Sequence, residues 1–481
     1  MITASGTWVR FVIQLATVVL VARLLGPEQY GFAAIVLVYA AGAELLRVSG
    51  LSLVVVQRAS LPQAVVSSLH YLSISAGLLI TVVLVAAGPW LAAVLSVPGH
   101  TSELTLLAIL FALASSAAVP AALLARNLVF GRLAAVELMA ALAGSGGAIA
   151  LSVAGAGRTA LVVQALVFAL LQCGGTLLSC PWRPGRPAPW HDVCEHMGFA
   201  ANVSAVQLLN YVTRSFDKIL VGAFAGPAAA GLYTQASQLL VLPLEQVSGP
   251  LQRVAIPAFS RVHASRDRFR RSYRTVVTVV GYVLWPTFVT LAVLADGIVR
   301  VLFGPAWAEA ASLFRILAIA GFGQTLGYVT SWVFVATDQV SRQSAWAFAS
   351  RPIQLFSLLA GVPWGVRGMA LAYALTSVGM VLPAFLLARA RAGLRVMDLF
   401  APVLWPGVVA LTVAASLTTA RGIVDPAAGP LSLLVNLAVA ALAAGTCAVL
   451  LPPVRADIAS ITALLHRRSP AAATTTVGKE T

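Results

Sequence analysis

The sequence predicts an all-α integral membrane protein of about fourteen transmembrane helices, built as two pseudo-symmetric six-helix bundles plus two peripheral C-terminal helices. Three observations predict it. Only 10% of the 481 residues are charged while 59% are hydrophobic, against roughly 25% charged in a soluble globular chain, and the mean hydropathy is +0.91. Apolar stretches of about 20 residues, the length that crosses hydrocarbon as a helix with its backbone bonded internally, recur along the chain. Short turn sequences also recur six stretches apart.

The expected spans cover residues 8–25, 32–56, 69–95, 104–125, 136–155, 159–179, 199–224, 231–252, 275–302, 309–336, 345–363, 367–388, 399–420 and 430–451. The first is full length, lacks a persuasive cleavage site and leads into another helix, so it reads as a span and not as a secretory signal. With the amino terminus on the cytoplasmic side, 22 Lys and Arg residues fall on that side and 5 on the other, leaving 4 inside spans. That asymmetry predicts that both termini are cytoplasmic. The expected organisation is a six-helix bundle over 1–180, a cytoplasmic linker over 181–198, a second bundle over 199–390, peripheral helices thirteen and fourteen over 391–453, and a disordered polar tail over 454–481.

The net charge of +15 does not point to nucleic acid, because the arginines lie between apolar segments and are not interleaved with aromatics on one surface. The densest basic stretch, Arg261 to Arg274, reads first as a topology anchor and second as a contact for anionic lipid head groups. The four cysteines show no CxxC spacing and no disulfide density. Cys180, His191, Cys194 and His196 share one loop, but their spacing matches no standard zinc pattern, so neither metal nor cofactor is expected.

The repeat is clearest at two turns 200 residues apart. Gly26-Pro27-Glu28-Gln29-Tyr30-Gly31 joins spans one and two, and Gly226-Pro227-Ala228-Ala229-Ala230-Gly231 joins spans seven and eight. More loosely, Gly157-Arg158-Thr159-Ala160-Leu161 resembles Gly365-Val366-Arg367-Gly368-Met369-Ala370-Leu371. An even number of spans separates the partners, so the halves share one orientation, the parallel kind of repeat that encloses a substrate path.

Charges inside spans cost roughly 2.5 to 3.5 kcal/mol on insertion scales and are functional candidates by default. Span seven has a polar stripe at helical spacing, with Gln207, Asn210, Arg214, Asp217 and Lys218 on one face. Arg214 and Asp217 could neutralise each other as a structural i,i+3 pair, or Arg214 and Lys218 could present positive charge to an anion in a cavity. In span two, Glu44 and Arg47 are again three apart and could satisfy each other or bridge to a neighbour. Span eight has Gln235, Gln238 and Glu245 on one face, with Glu245 able to pair with a basic residue of span seven. Arg315 in span ten has no acid at i±3 or i±4. Arginine suits a phosphate ligand because its planar fork donates two hydrogen bonds and stays charged. The residues alone reach an anion-compatible transporter, without selecting the anion.

Several strings carry a resemblance to a known family: Ala22-Arg23-Leu24-Leu25-Gly26-Pro27-Glu28-Gln29-Tyr30-Gly31; Asp217-Lys218-Ile219-Leu220-Val221-Gly222 followed by Gly231-Leu232-Tyr233; Leu242-Pro243-Leu244 with Val254-Ala255-Ile256-Pro257-Ala258-Phe259-Ser260; and Leu302-Phe303-Gly304-Pro305-Ala306-Trp307. With these the chain resembles the polysaccharide flippases of the multidrug, oligosaccharidyl-lipid and polysaccharide exporter superfamily, the Wzx-type lipopolysaccharide biosynthesis proteins. The resemblance implies a bacterial cytoplasmic membrane protein that flips an undecaprenyl-diphosphate oligosaccharide to the outer leaflet by alternating access. It also implies contacts with membrane lipids and, as partners, a polysaccharide polymerase and glycosyltransferases. By carry-over, Arg214, Lys218, Arg47 and Arg315 would hold the diphosphate; Asp217, Asn210, Glu44 and Glu245 are the further substrate-binding candidates that the polar stripes supply.

Other readings stay open at this point, among them a lipid II flippase, which would share the mechanism and differ in the sugar. A cation-coupled multidrug exporter of the same superfamily shares the architecture and uses intramembrane acids, although fourteen spans in place of twelve count against it. A membrane polymerase or ligase would need a large outer loop, and the expected outer loops are about ten residues or shorter. No nucleophile–base constellation stands beside them, so the chain is not expected to be an enzyme. A scaffold for biosynthetic enzymes would not need polar stripes in its spans.

Overall fold

A computed structural model describes residues 2–58, 61–95, 97, 99–263, 265–457 and 459, with the side chains of 2–11, 206, 209, 210, 212–216 and 340 outside that description. The tail expected to be disordered falls, from residue 460 onward, outside the described residues. Among the described residues the chain is helical and has no strand. That is what a lipid solvent dictates: a helix bonds its own backbone, whereas an open sheet edge would leave N–H and C=O groups unpaired in hydrocarbon.

The first eight helices are α1 (Ile2–Tyr30), α2 (Phe32–Arg47), α3 (Gly50–Gln57), α4 (Gln63–Ala86), α5 (Gly88–Val94), α6 (Thr101–Arg126), α7 (Phe130–Val153) and α8 (Thr159–Ser179). The 73-residue α9 (Trp190–Val262) follows, then α10 (Arg266–Val293), α11 (Ala295–Leu302), α12 (Ala308–Ala336), α13 (Val340–Gly361), α14 (Gly365–Gly379), α15 (Val381–Ala392), α16 (Met397–Phe400), α17 (Leu404–Arg421) and α18 (Pro430–Leu450). Among the described residues twelve helical runs are long and apolar enough to cross a membrane. Two of these, Asp217–Val262 and Ser341–Ala392, have 46 and 52 residues, about twice the length one crossing needs. The protein is a multi-pass membrane protein.

The expected repeat is visible in backbone geometry. Gly26 has φ 70° and ψ 172°, and Gly226 has φ 86° and ψ 170°, so each breaks its helix with the same left-handed residue ahead of a proline. Only glycine reaches that region without a Cβ penalty. A second pair was not legible in the residues. Leu128, between α6 and α7, and Asp338, between α12 and α13, are the non-glycine residues with positive φ among those described, at 58° and 53°. Both turns close with the same bonds: Val129 N donates to Leu124 O and Gln339 N to Phe334 O, at 2.9 and 2.8 Å. The two turns thus share one backbone geometry on unlike sequences.

The chain forms two compact units. The first comprises Met1–Gln235, Leu302–Glu309 and Leu358–Met369; the second comprises Ala236–Val301, Ala310–Ser357 and Ala370–Thr481. In the first, α6 is central, packing on α2, α3, α4 and α8, while α7 joins α8 to α1. The floor of this unit is a buried cluster of small apolar residues including Val54, Val55, Val66, Leu69 and Val119. In the second, α17 packs between α10 and α18.

In the second unit Asp398 is wholly buried and accepts from Arg270 Nε at 2.6 Å, from Arg274 Nε at 2.7 Å and from the Arg395 backbone N–H at 2.8 Å. Two arginines of the basic stretch are therefore committed to a carboxylate inside the protein. A buried carboxylate is tolerated only when it is paired and hydrogen-bonded. Here both conditions are met.

Candidate functional site

Three of the family-like strings, far apart in the chain, meet at one place in the first unit. Trp307 Nε1 donates to Ala22 O at 3.1 Å, and the Trp307 ring meets that of Tyr30 edge to face at 5.4 Å. Gly31 lies so close to Pro227 that a Cβ there would overlap the Pro227 carbonyl oxygen. The contact is reciprocal: a Cβ on Gly231 would stand 2.8 Å from Pro27 O and 3.0 Å from Gly31 Cα. The two GPxxxG turns thus dock backbone to backbone, which requires glycine at the sixth position of each. Their spacing showed a repeat, but nothing in the residues showed that the copies touch.

The first half of α9 runs along α2 and α3. Tyr211 OH donates to Val38 O at 3.0 Å, and the Gly50 N–H donates to Ser204 Oγ at 3.0 Å, with Gly50 pressed against the Ala200 carbonyl. Glu44 and Arg47 lie in sequence between those two anchor points. Arg47 forks onto Glu44, Nε to Oε2 at 2.7 Å and Nη2 to Oε1 at 2.5 Å, and a second carboxylate, Glu137 of α7, stands 3.8 Å from Nη2. The intrahelical pair and the bridge to a neighbour, alternatives in the sequence, are both present. Glu137 was missed; an isolated acid within an apolar α7 was the signal available.

Asp217 accepts the Lys218 backbone N–H at 2.9 Å and the Tyr233 hydroxyl at 3.4 Å, and Tyr233 is fully buried. Asp217 and Lys218 are half-buried. The Asn210 and Arg214 side chains fall outside the described residues, and the expected Arg214–Asp217 pairing falls there with them.

The remaining two site residues belong to the second unit. Glu245 is exposed there. Arg315 has a partner that its helical neighbourhood does not supply: it pairs with Asp296 at the start of α11, and Arg421 Nη2 reaches the same carboxylate oxygen at 3.4 Å. Arg421 also donates to Val293 O at 2.8 Å. This cluster sits at the ends of α10 and α17 and near the start of α12. Among the described residues no group of three or more His, Cys, Asp or Glu is placed to hold a metal ion.

The comparisons with known proteins agree with this architecture. The chain is 22% identical over 344 residues to the lipopolysaccharide biosynthesis protein WzxC of Escherichia coli (strain K12), covering 70% of this chain and 69% of that protein. It is 24% identical over 342 residues to the teichuronic acid biosynthesis protein TuaB of Bacillus subtilis (strain 168), 70% of each. Among solved structures, the lipid II flippase MurJ in an inward closed conformation superposes with a TM-score of 0.70 at 14% identity, over 92% of this chain and 96% of that one. An inward-facing multidrug resistance transporter of the MATE family superposes at 0.65 with 18% identity, over 80% and 94%. The fold is that of the multidrug, oligosaccharidyl-lipid and polysaccharide exporters. Residues 20–312, more than half of the chain, match the family described as "Polysaccharide biosynthesis protein", and the chain belongs to that family.

Proposed function

We propose that the protein is a flippase that carries an undecaprenyl-diphosphate-linked oligosaccharide from the cytoplasmic to the outer leaflet of a bacterial inner membrane, supplying exopolysaccharide, capsule or O-antigen-type polymer synthesis. The observation that carries this reading is the set of intramembrane charges along α2, α7 and the first half of α9, in a chain of this family. In hydrocarbon such a set is retained where it lines a path or binds a charged ligand. The names of WzxC and TuaB, both biosynthesis proteins for cell-surface polymers, support the substrate class.

In this proposal Arg214, Lys218 and Arg47 bind the diphosphate, with Arg315 as a further basic contact. Asn210 and Asp217 bind sugar hydroxyls, and Glu44 and Glu245 hold basic neighbours in place. Arginine forks match phosphate oxygens, and Glu44 and Glu137 keep Arg47 extended until an anion competes for it. The 73-residue α9 and the run Ser341–Ala392 each cross twice, giving fourteen crossings with both termini in the cytoplasm and a six-helix bundle from each repeat. The docked GPxxxG turns close the path at one end, and alternating access separates them. A polysaccharide polymerase and glycosyltransferases act on either side of the step.

The likeness to a MATE-family transporter favours one second reading, cation-coupled export of a small drug. The test reconstitutes the protein with a fluorescent polyprenyl-diphosphate oligosaccharide and follows its appearance in the opposite leaflet, for wild type, Arg214→Ala and Lys218→Ala. Translocation by wild type that falls in both folded variants is the expected result. No translocation of several sugar heads, together with cation-dependent drug efflux, overturns the flippase reading.

A further inference from the structure

The basic stretch at the start of α10 is divided by its packing. Arg270 and Arg274 turn onto the buried Asp398, whereas Arg266, Arg268 and Arg271 are exposed, with Asp267 the exposed acid among them. Arg266 lies against Gly393, the left-handed residue that ends α15: a Cβ built there would stand 2.8 Å from Arg266 Cγ. Two residues further on is Arg395, also exposed, whose backbone N–H donates to Asp398 at 2.8 Å. Two basic segments far apart in the chain are thereby packed together within the second unit. Just beyond them Met397, Phe400 and Leu404 form an exposed apolar ledge at helical spacing, with Asp398, Leu399 and Pro402 buried behind it.

We propose that this surface binds an anionic bilayer lipid, with Arg266 and Arg395 on its phosphate and Met397, Phe400 and Leu404 against its acyl chains. Depth is the first reason. The apolar run Arg266–Val293 begins, Ser341–Ala392 ends and Met397–Arg421 begins at this place. The 28 residues of α10 are about 42 Å long at roughly 1.5 Å per residue, more than the hydrocarbon thickness of about 30 Å. Its arginine-bearing first turns therefore extend past the hydrocarbon to the level of the head groups, where basic side chains attract anionic lipid. The guanidinium fork then matches phosphate oxygens. The ledge is the second reason: an acidic soluble partner would meet the arginines but leave the apolar side chains beside them in water, whereas a bilayer covers both. Asp398 acts as a positioning residue, holding Arg270, Arg274 and the Arg395 backbone so that Arg266 and the Arg395 side chain face outward. A topology anchor needs only the charge, while this site needs these two arginines. The proposal does not depend on what the protein transports.

The test is native mass spectrometry of the full chain in neutral detergent, titrated with phosphatidylglycerol, phosphatidylcholine, glycerol phosphate or a polyglutamate peptide. Phosphatidylglycerol is expected to stay bound in preference to phosphatidylcholine, and the double variant Arg266→Gln/Arg395→Gln to lower its affinity about thirtyfold. Arg186→Gln/Arg300→Gln removes the same charge from exposed positions elsewhere and is expected to change nothing. Met397→Asp keeps every arginine but sets a carboxylate beside Arg395 and is expected to weaken binding as well, so the test survives if the double variant fails to fold. Phosphatidylglycerol binding undiminished in the folded double variant or in Met397→Asp, or weakened equally by Arg186→Gln/Arg300→Gln, overturns the site. Glycerol phosphate or polyglutamate bound with the same arginine dependence, while phosphatidylglycerol is not, overturns the lipid as the occupant.

Discussion

Two charge clusters built from the same residue types are arranged in opposite ways. In the first unit one arginine, Arg47, faces two carboxylates, Glu44 and Glu137, along spans α2 and α7. In the second unit one carboxylate, Asp398, is enclosed by two arginines near the starts of α10 and α17, and its exposure is 0%. A wholly buried carboxylate with three donors is a fastening: removing it leaves two cations facing each other. The Arg47 cluster is more open, with the Glu44 side chain 49% exposed. In the proposed path a ligand's anion competes with Glu44 for the Arg47 fork. Stability and transport should therefore separate between the two places.

The largest expected effect is on the fastening. Asp398→Asn should lower stability by about 3 kcal/mol, the low end for breaking a buried pair because both arginines keep partial access to water. Thermal unfolding of the purified protein checks this, and transport per folded molecule should persist. A change below 1 kcal/mol would break the comparison.

The docked turns rank next. Gly31→Ala places a methyl group against the Pro227 carbonyl and should cost about 2 kcal/mol by overpacking. Gly26→Ala, in open space but at φ 70°, should cost about 1 kcal/mol from backbone strain alone. Comparing the two by thermal unfolding separates close approach from conformational freedom.

Arg47→Gln should slow translocation per folded molecule about tenfold, equivalent to about 1.4 kcal/mol on the barrier, which the leaflet-transfer assay reads. An unaltered rate would move the diphosphate contact away from α2.

The smallest effect compares the two equivalent turns. Leu128→Gly relieves a left-handed leucine and should stabilise by about 1 kcal/mol. Asp338→Gly should gain less, since aspartate tolerates that region better. Equal gains would mean that the turns are not equivalent in strain.

Much of the architecture was legible because the bilayer allows few answers. An apolar run of about 20 residues must be a helix, whatever its side chains, and a GPxxxG turn repeated after 200 residues has the same glycine backbone geometry in both copies. Of the charge pairings around the candidate site, only the local one was legible. Glu44 with Arg47 was readable because i,i+3 neighbours share a helix face, whereas Glu137, Asp296 as the partner of Arg315, and Asp398 as the partner of Arg270 and Arg274 act across 19 to 128 residues of chain. No local period reports such distances.

The sequence by itself determined what dissolves in lipid, where the chain turns and which charges are confined to spans, since each of these is set by transfer free energy or backbone geometry within one segment. The tertiary structure decided which charge answers which, that two copies of one turn dock on each other through glycine, and that the basic segments around Arg266 and Arg395 pack together. Those outcomes depend on helices meeting side by side, and side-by-side contact is decided by packing between segments, on which the order of residues along any one helix is silent.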